Sequence, residues 1–459
     1  MKHVAIVGGG VSGLVAAYRL RRLLGPDARI TVLEQSDRLG GKLRTVDLDG
    51  VPTDVGAEAF VVRNPAAVNL VDELGLSDRL VHPVRSAATI RAAGTIVALP
   101  KRTFLGVPAG AAEVRDVLSA DGAARVAAEA DLPPLRLADG EDVAVGAVLA
   151  ERFGRELVDH LVEPLLGGVY AGRADLLGLR ATMPALVAAL ADTGSLTAAA
   201  NQVLGAPPAT PRPVFGALAG GMTGLVDELA RRSGAEIRLD TTVRALTRGW
   251  RLELGSAPHP EFLDADAVVL AVPPPAARRL LADVAPAASN AYARIAVGSM
   301  AVVSMVLPAG VTLPDSSGVL LAVGERHRDG TLFTAKAFTY TSTKWGGDRV
   351  RLRASVGRVG EEENLRRDED ALLADVLADL AELSGVVTKP AAWTVTKWGG
   401  GLPQYGVGHT AAVAAVERAV AELPGLAVAG ASFRGVGIPA CVDAAGAAAD
   451  RVAADLRQR

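Results

Sequence analysis

VAIVGGGVSG, residues 4–13, is followed after one helical stretch by a second apolar run that ends in an acid, ITVLE at 30–34. Val4–Val7 is short, β-branched and wholly apolar, as a buried parallel strand requires. Gly8 permits a tight turn, Gly10 has no Cβ to keep a pyrophosphate from the backbone, and Gly13 lets the next helix pack close to the strand. That helix, LVAAYRLRRLL at 14–24, points its positive end at the turn. Glu34 lies where a carboxylate can accept hydrogen bonds from ribose hydroxyls. A glycine-rich turn alone is common. Strand, turn, helix, strand and acid in this order point to a dinucleotide cofactor held by Gly8, Gly9, Gly10, Val11, Ser12, Gly13, Glu34 and Gln35.

Bulk properties fit a large enzyme. The chain has 459 residues, half of them hydrophobic, enough for two or three subdomains. A net charge of −3 and no basic run argue against nucleic acid as a partner. The first apolar run is too short and glycine-terminated for a signal peptide, and no stretch approaches the ~18 apolar residues of a spanning helix. The single cysteine, Cys441, excludes an intrachain disulfide and a cysteine metal site, and the six scattered histidines show no ligand spacing, so no metal is expected. A cytoplasmic location fits.

Beyond Glu34 the run QSDRLGGKLRTVDLDGVPTDVGAEAF places Gly40-Gly41 and Lys42 where a diphosphate would pass, then DVGAE at 54–58. This resembles the second flavin signature of the family containing monoamine oxidases, phytoene desaturases and protoporphyrinogen oxidases. Helical spacing dominates from Lys101 to about Thr210, and alternating runs between 295 and 358 suit an antiparallel sheet. The C-terminal LAVAGASFRGVGIPAC reads as strand, glycine loop and helix, a second ligand-facing helix start far from the first in sequence.

Five further segments narrow the resemblance to the oxygen-dependent coproporphyrinogen III and protoporphyrinogen oxidases: LLGGVYAGRADLLGLRATMP (165–184), PVFGALAGGMTGLVDELA (213–230), FTAKAFTYTSTKWGG (333–347), LPQYGVGH (402–409) and AGASFRGVGIPAC (429–441). They span nearly the whole chain, and GGVYAG with PQYxxGH is the specific pair. The resemblance implies an α/β fold with α+β character. Its parts would be a discontinuous Rossmann-like FAD-binding domain (1–85, 212–285, 396–459), a mixed-sheet substrate domain (86–101, 176–211, 286–395) and a helical lobe (102–175). It implies non-covalent FAD, since Cys441 is not at the attachment position of the covalent relatives. The cofactor set then extends to Gly41, Lys42, Gly56, Ala57, Glu58, Ala59, Val243, Trp398, Gly430, Ala431, Val436, Gly437 and Ile438. The chain departs from the family pattern in two places. Gly399-Gly400-Gly401 after Trp398 is expected to be a mobile loop, and Ala88 stands where some relatives carry a basic propionate anchor, with Arg91 as the substitute.

The resemblance implies oxidation of a porphyrinogen by oxygen in haem biosynthesis, six electrons in three rounds, with hydride passing from a meso carbon to the flavin and hydrogen peroxide formed. Such a substrate needs apolar walls and rim cations. Candidate walls are Phe60, Val169, Leu320, Leu321 and Phe338; each could equally be plain core. Candidate cations are Arg91, Lys336 and Arg353, for which a solvated surface role is the common alternative. Gly167 and Gly168 could let the macrocycle pass close to the backbone. Glu58 is the candidate proton acceptor, a buried carboxylate being costly unless paired or protonated. The lobe, with Arg115, Arg125, Arg152 and Arg155 among acids, shows no stripe for membrane insertion. Coproporphyrinogen III is favoured over protoporphyrinogen IX, a ferrochelatase is a candidate downstream partner, and the assembly is a monomer or homodimer. Amine oxidation would need an aromatic cage, for which Trp398 and Tyr405 are the only late-chain pair; a non-catalytic flavoprotein is the third alternative.

Overall fold

The computed structural model describes residues 2–85, 87–206 and 212–458. Strand His3–Val7 is central in a five-stranded sheet, flanked in parallel by Arg29–Leu33 and Ala267–Leu270. Glu236–Arg238 and Leu426–Val428 form the edges, also parallel. Val4, Ala5 and Ile6 are fully buried, as a strand covered on both faces must be. Helices Val11–Leu24 and Ile438–Arg457 lie against each other on one face, sharing a core with Leu225, Val226 and Leu229. The strand order reverses at His3–Val7, and the carboxyl ends of strands at such a point form a ligand crevice.

The second sheet has seven strands, in the order Ala392–Pro403, Val297–Val306, Arg351–Val356, Ala335–Thr339, Gly318–Leu321, Thr89–Ala92, Thr95–Ala98. Most pairs are antiparallel; Gly318–Leu321 with Thr89–Ala92 is parallel. Side chains alternate across it. One face, with Val303, Met305, Leu321, Phe338 and Leu352, packs on helix Glu369–Ser384 through Leu372, Val376 and Leu380. The other face meets the nucleotide-side segments and a helical cluster.

That cluster runs from Ala120 to Leu204 and buries Leu149, Phe153, Leu161, Leu166, Leu186 and Leu196. Its helices Pro184–Thr193 and Leu196–Leu204 fall in the span expected to belong to the substrate sheet, but their cores join the lobe. Likewise the boundary expected at 395/396 falls inside one strand, Ala392–Pro403. Boundaries at 86 and 211 lie outside the described residues. Gly399–Gly401, expected as a mobile loop, belongs to this same strand. The strand pairs with Val297–Val306 on either side of the glycines, but the register shifts across them, from Met300 opposite Trp398 to Gly298 opposite Leu402, so Gly399–Gly401 form a bulge in which Gly400 N–H donates to the Ser299 hydroxyl.

Candidate functional site

The N-terminal turn has the shape the sequence demands. Gly8 has φ of 107°, and a Cβ there would lie 2.4 Å from the Ala271 carbonyl oxygen. A Cβ on Gly13 would sit 1.9 Å from the Gly8 oxygen, so helix and strand approach too closely for any side chain. Gly10 differs: its Cβ would meet only the Gly41 Cα at 3.9 Å, leaving an open cradle above the turn. Helix Val11–Leu24 starts at Gly10 with no side-chain cap, and helix Ile438–Arg457 starts at Gly437 the same way. Glu34 accepts from Gly9 N–H at 2.7 Å and from Ser36 N–H at 2.9 Å, which fixes its carboxylate at the strand end; Gln35 is exposed.

Gly40 and Gly41 both take positive φ, and an isolated bridge joins Gly40 to Gly10. Lys42 follows. Burial lowers its pKa, and the only group opposing that is the Cys441 thiol, so the ammonium has no carboxylate partner among the described residues. Cys441 is itself buried and its pKa is raised by burial, the state of an inert thiol. Gly56 is wedged between the Lys42 carbonyl oxygen and the Trp398 ring, and Trp398 Nε1 donates to the Val55 oxygen at 3.1 Å. Ala57 and Ala59 are half-buried beside it. Val243 is buried, two residues beyond Thr241, whose N–H donates to the Glu34 carbonyl. Gly430 has φ of 130° with open space where a Cβ would be, and Ala431, Val436, Gly437 and Ile438 complete the loop into the last helix. An open glycine cradle, an unpaired lysine and two uncapped helix starts fit a diphosphate-linked flavin.

Glu58 does not fit the role of proton acceptor. It is buried and held by Lys344 Nζ at 2.7 Å and Arg353 Nε at 3.2 Å. Burial alone would raise its pKa, but Arg353 and Lys344 outweigh it and hold the carboxyl at about 2. Glu58 is therefore ionised and weakly basic, a structural tie between the flavin segment and the substrate sheet. Arg353 reinforces the tie by donating to the Gly56 oxygen at 2.8 Å, so it is not a free rim cation.

Strand alternation sorts the remaining substrate-side residues. Leu321 and Phe338 point at helix Glu369–Ser384 and are core, not cleft wall. Arg91, opposite Leu321 in the register, shares that face. It pairs with Glu325 at 2.9 Å, lies over the Phe333 ring and is buried, which excludes a propionate role. Phe60 is buried in the nucleotide-side core against Gly216. Leu320 faces the lobe and is partly exposed.

Lys336 reaches that same face by a different route. The register between Ala335–Thr339 and Arg351–Val356 shifts between Ala335 and Ala337, a bulge that turns Lys336 away from the core helix. Its Nζ donates to the Gly167 carbonyl at 3.0 Å, in lobe helix Glu163–Tyr170. It is 6% exposed, and no carboxylate among the described residues lies within ion-pair distance. Burial, helped by Arg358 and opposed by Glu361 and Glu163, lowers its pKa to about 7. Gly168 and Val169 beside it are exposed, and a Cβ on Gly168 would meet nothing. Lys344, which the sequence reading passed over, sits in the quoted stretch FTYTSTKWGG.

Residues 11–453 match the model of the flavin containing amine oxidoreductases. The chain belongs to this family. Its cofactor is FAD and it is an oxidoreductase. It is 43% identical to the coproporphyrinogen III oxidase of Mycobacterium leprae, over 99% of each chain. It is 31% identical to the Bacillus subtilis protein of the same name, over 96% of each. A crystal structure from Exiguobacterium sp. 255-15, provisionally named protoporphyrinogen oxidase, superimposes with TM-score 0.85 at 32% identity, covering 100% of this chain and 99% of that one. No helix among the described residues is long and apolar enough to cross a membrane.

Proposed function

We propose that the enzyme oxidises coproporphyrinogen III to coproporphyrin III, with oxygen as the final acceptor. The observation that carries this reading is the 43% identity to a coproporphyrinogen III oxidase along the full length of both chains. Removal of six electrons takes three rounds, and FAD, held non-covalently, supplies the oxidising power for each. The chain's own residues bind and orient. The glycine cradle and Lys42 hold the diphosphate. Gly56–Ala59 and Trp398 would lie against the flavin ring and help to orient it. Leu320, Val169 and the backbone of Gly167–Gly168 offer an apolar surface to the macrocycle. Lys336 is the cation that meets a substrate carboxylate, because it is buried between the substrate sheet and the lobe helix with a single carbonyl partner. An unpaired buried ammonium is costly, and a ligand carboxylate removes that cost. No general base of raised pKa is needed, since aromatisation drives the loss of pyrrole protons. A cytoplasmic monomer or homodimer that passes its porphyrin toward a ferrochelatase completes the proposal.

Anaerobic mixing with coproporphyrinogen III tests it. Flavin bleaching, followed by a porphyrin Soret band on admitting oxygen, is expected, with a higher kcat/KM than for protoporphyrinogen IX at the same ionic strength. Equal or reversed preference favours the protoporphyrinogen reading, and bleaching by amines alone overturns both.

A further inference from the structure

Two segments singled out in the sequence, GGVYAG at 167–172 and LPQYGVGH at 402–409, interlock in the folded chain, and the cofactor cradle and cleft use neither tyrosine. Tyr405 is 1% exposed. Its hydroxyl accepts from Gly435 N–H at 2.8 Å and donates to the Ala431 carbonyl at 2.7 Å. One oxygen thus ties together two points of the loop that leads into helix Ile438–Arg457. The Tyr405 ring stacks on His409 at 3.9 Å, and His409 Nε2 is 3.3 Å from the Phe433 carbonyl oxygen in that loop. On its other side the ring leans on Tyr170 at 5.3 Å, in the helix that carries Gly167 and Gly168. Gln404 Nε2 donates to the Tyr170 carbonyl at 2.8 Å, and Gly178 N–H donates to the Tyr405 carbonyl at 2.7 Å.

The loop needs such ties. Residues 431–437 form neither helix nor strand, and Gly430 and Gly435 take φ of 130° and 147°, where glycine has no strong preference of its own. An ordinary core tyrosine would bury its ring and satisfy its hydroxyl with any neighbour. Here both hydroxyl bonds go to the backbone of the one loop placed at the cofactor. Burial raises the phenol pKa far above neutrality, so the hydroxyl keeps its proton and the clamp does not change with pH.

We propose that Tyr405 is a positioning residue for the flavin: it fixes the shape of loop 431–437 and braces that loop against the lobe helix Glu163–Tyr170. The inference rests on flavin being the cofactor, not on which macrocycle is oxidised, and its test needs no substrate. Tyr405→Phe keeps the ring contacts and deletes both loop bonds. The holoenzyme variant should bind FAD roughly 10- to 100-fold more weakly, the worth of one to two net hydrogen bonds. Its visible flavin bands should shift, while the apoprotein loses no more than about 3 °C in unfolding temperature, the worth of the same two bonds in a chain this long. His409→Phe, which keeps a stacked ring and Tyr405's hydroxyl, should weaken FAD binding less. Native FAD affinity and native bands in Tyr405→Phe would overturn the proposal. So would a loss of apoprotein stability with FAD affinity intact, and so would a larger effect from His409→Phe.

Discussion

Lys336 gives the sharpest quantitative expectation. In the apoprotein its buried ammonium donates to the Gly167 carbonyl, and Arg358, Glu361 and Glu163 are the charged groups that bear on it without pairing with it. A fall from 10.5 to about 7 is, at ~1.4 kcal/mol per pH unit, a folding penalty of about 5 kcal/mol. Lys336→Met removes the charge and also the Gly167 bond, worth about 1 kcal/mol. Relaxation of the cleft takes a further share, so a net gain of about 2–4 kcal/mol is expected for the variant near pH 6. Between pH 7 and 10.5 the unfolded chain holds a proton on this lysine that the folded chain does not. Native stability therefore rises with pH across that window, and the advantage of the variant shrinks and is gone at its upper end. For a chain of this length about 3 kcal/mol corresponds to about 3 °C in Tm. Urea unfolding of the two apoproteins at pH 6, 8 and 10 reads the effect. A variant less stable than the native protein at pH 6, or a difference that does not change with pH, refutes the reasoning. Lys336→Met should also raise KM for coproporphyrinogen III with FAD content unchanged.

Other residues make separate claims. Gly10→Val should leave the apoprotein folded, because a Cβ meets only Gly41 at 3.9 Å, yet abolish FAD binding; full flavin occupancy by absorbance would show that the cradle is structural only. Glu58→Gln strands Lys344 and Arg353 and should cost roughly 3–5 kcal/mol in urea unfolding, while the pH profile of kcat keeps its shape; a profile that loses an acidic limb would restore Glu58 as a proton acceptor. Acid precipitation should leave all FAD in the supernatant, and flavin retained in the pellet would contradict non-covalent binding.

The cofactor end was legible because its physics is local. Gly8, Gly10 and Gly13 act within one turn, and Glu34 follows at a fixed distance along the chain. The substrate end was not, because it depends on pairing. Whether Leu320 or Leu321 faces the lobe is a matter of register, and a one-residue slip exchanges them. Lys336 faces the lobe only through the bulge between Ala335 and Ala337, whereas Arg91 shares the opposite face with Leu321 and pairs there with Glu325. The glycines at 399–401 read as a break, and they do break the register, but the strand resumes beyond them because Val297–Val306 runs alongside on both sides. Lys344 left one signal, a basic residue inside a quoted motif, but its partner Glu58 is 286 positions away.

The nucleotide sheet joins His3–Val7 to Leu426–Val428, a strand made about 420 residues later. At ~5–20 residues per second, tens of seconds separate the first strand leaving the ribosome from the last. Throughout that time the glycine turn is present but its sheet has an unfilled edge, and the loop at 431–437 does not yet exist. Flavin capture is thus postponed until the loop at 431–437 has been made, and a chain cut short before residue 426 stays colourless with its glycine turn intact. The yellow colour of the protein reports that every residue up to the last helix has been made.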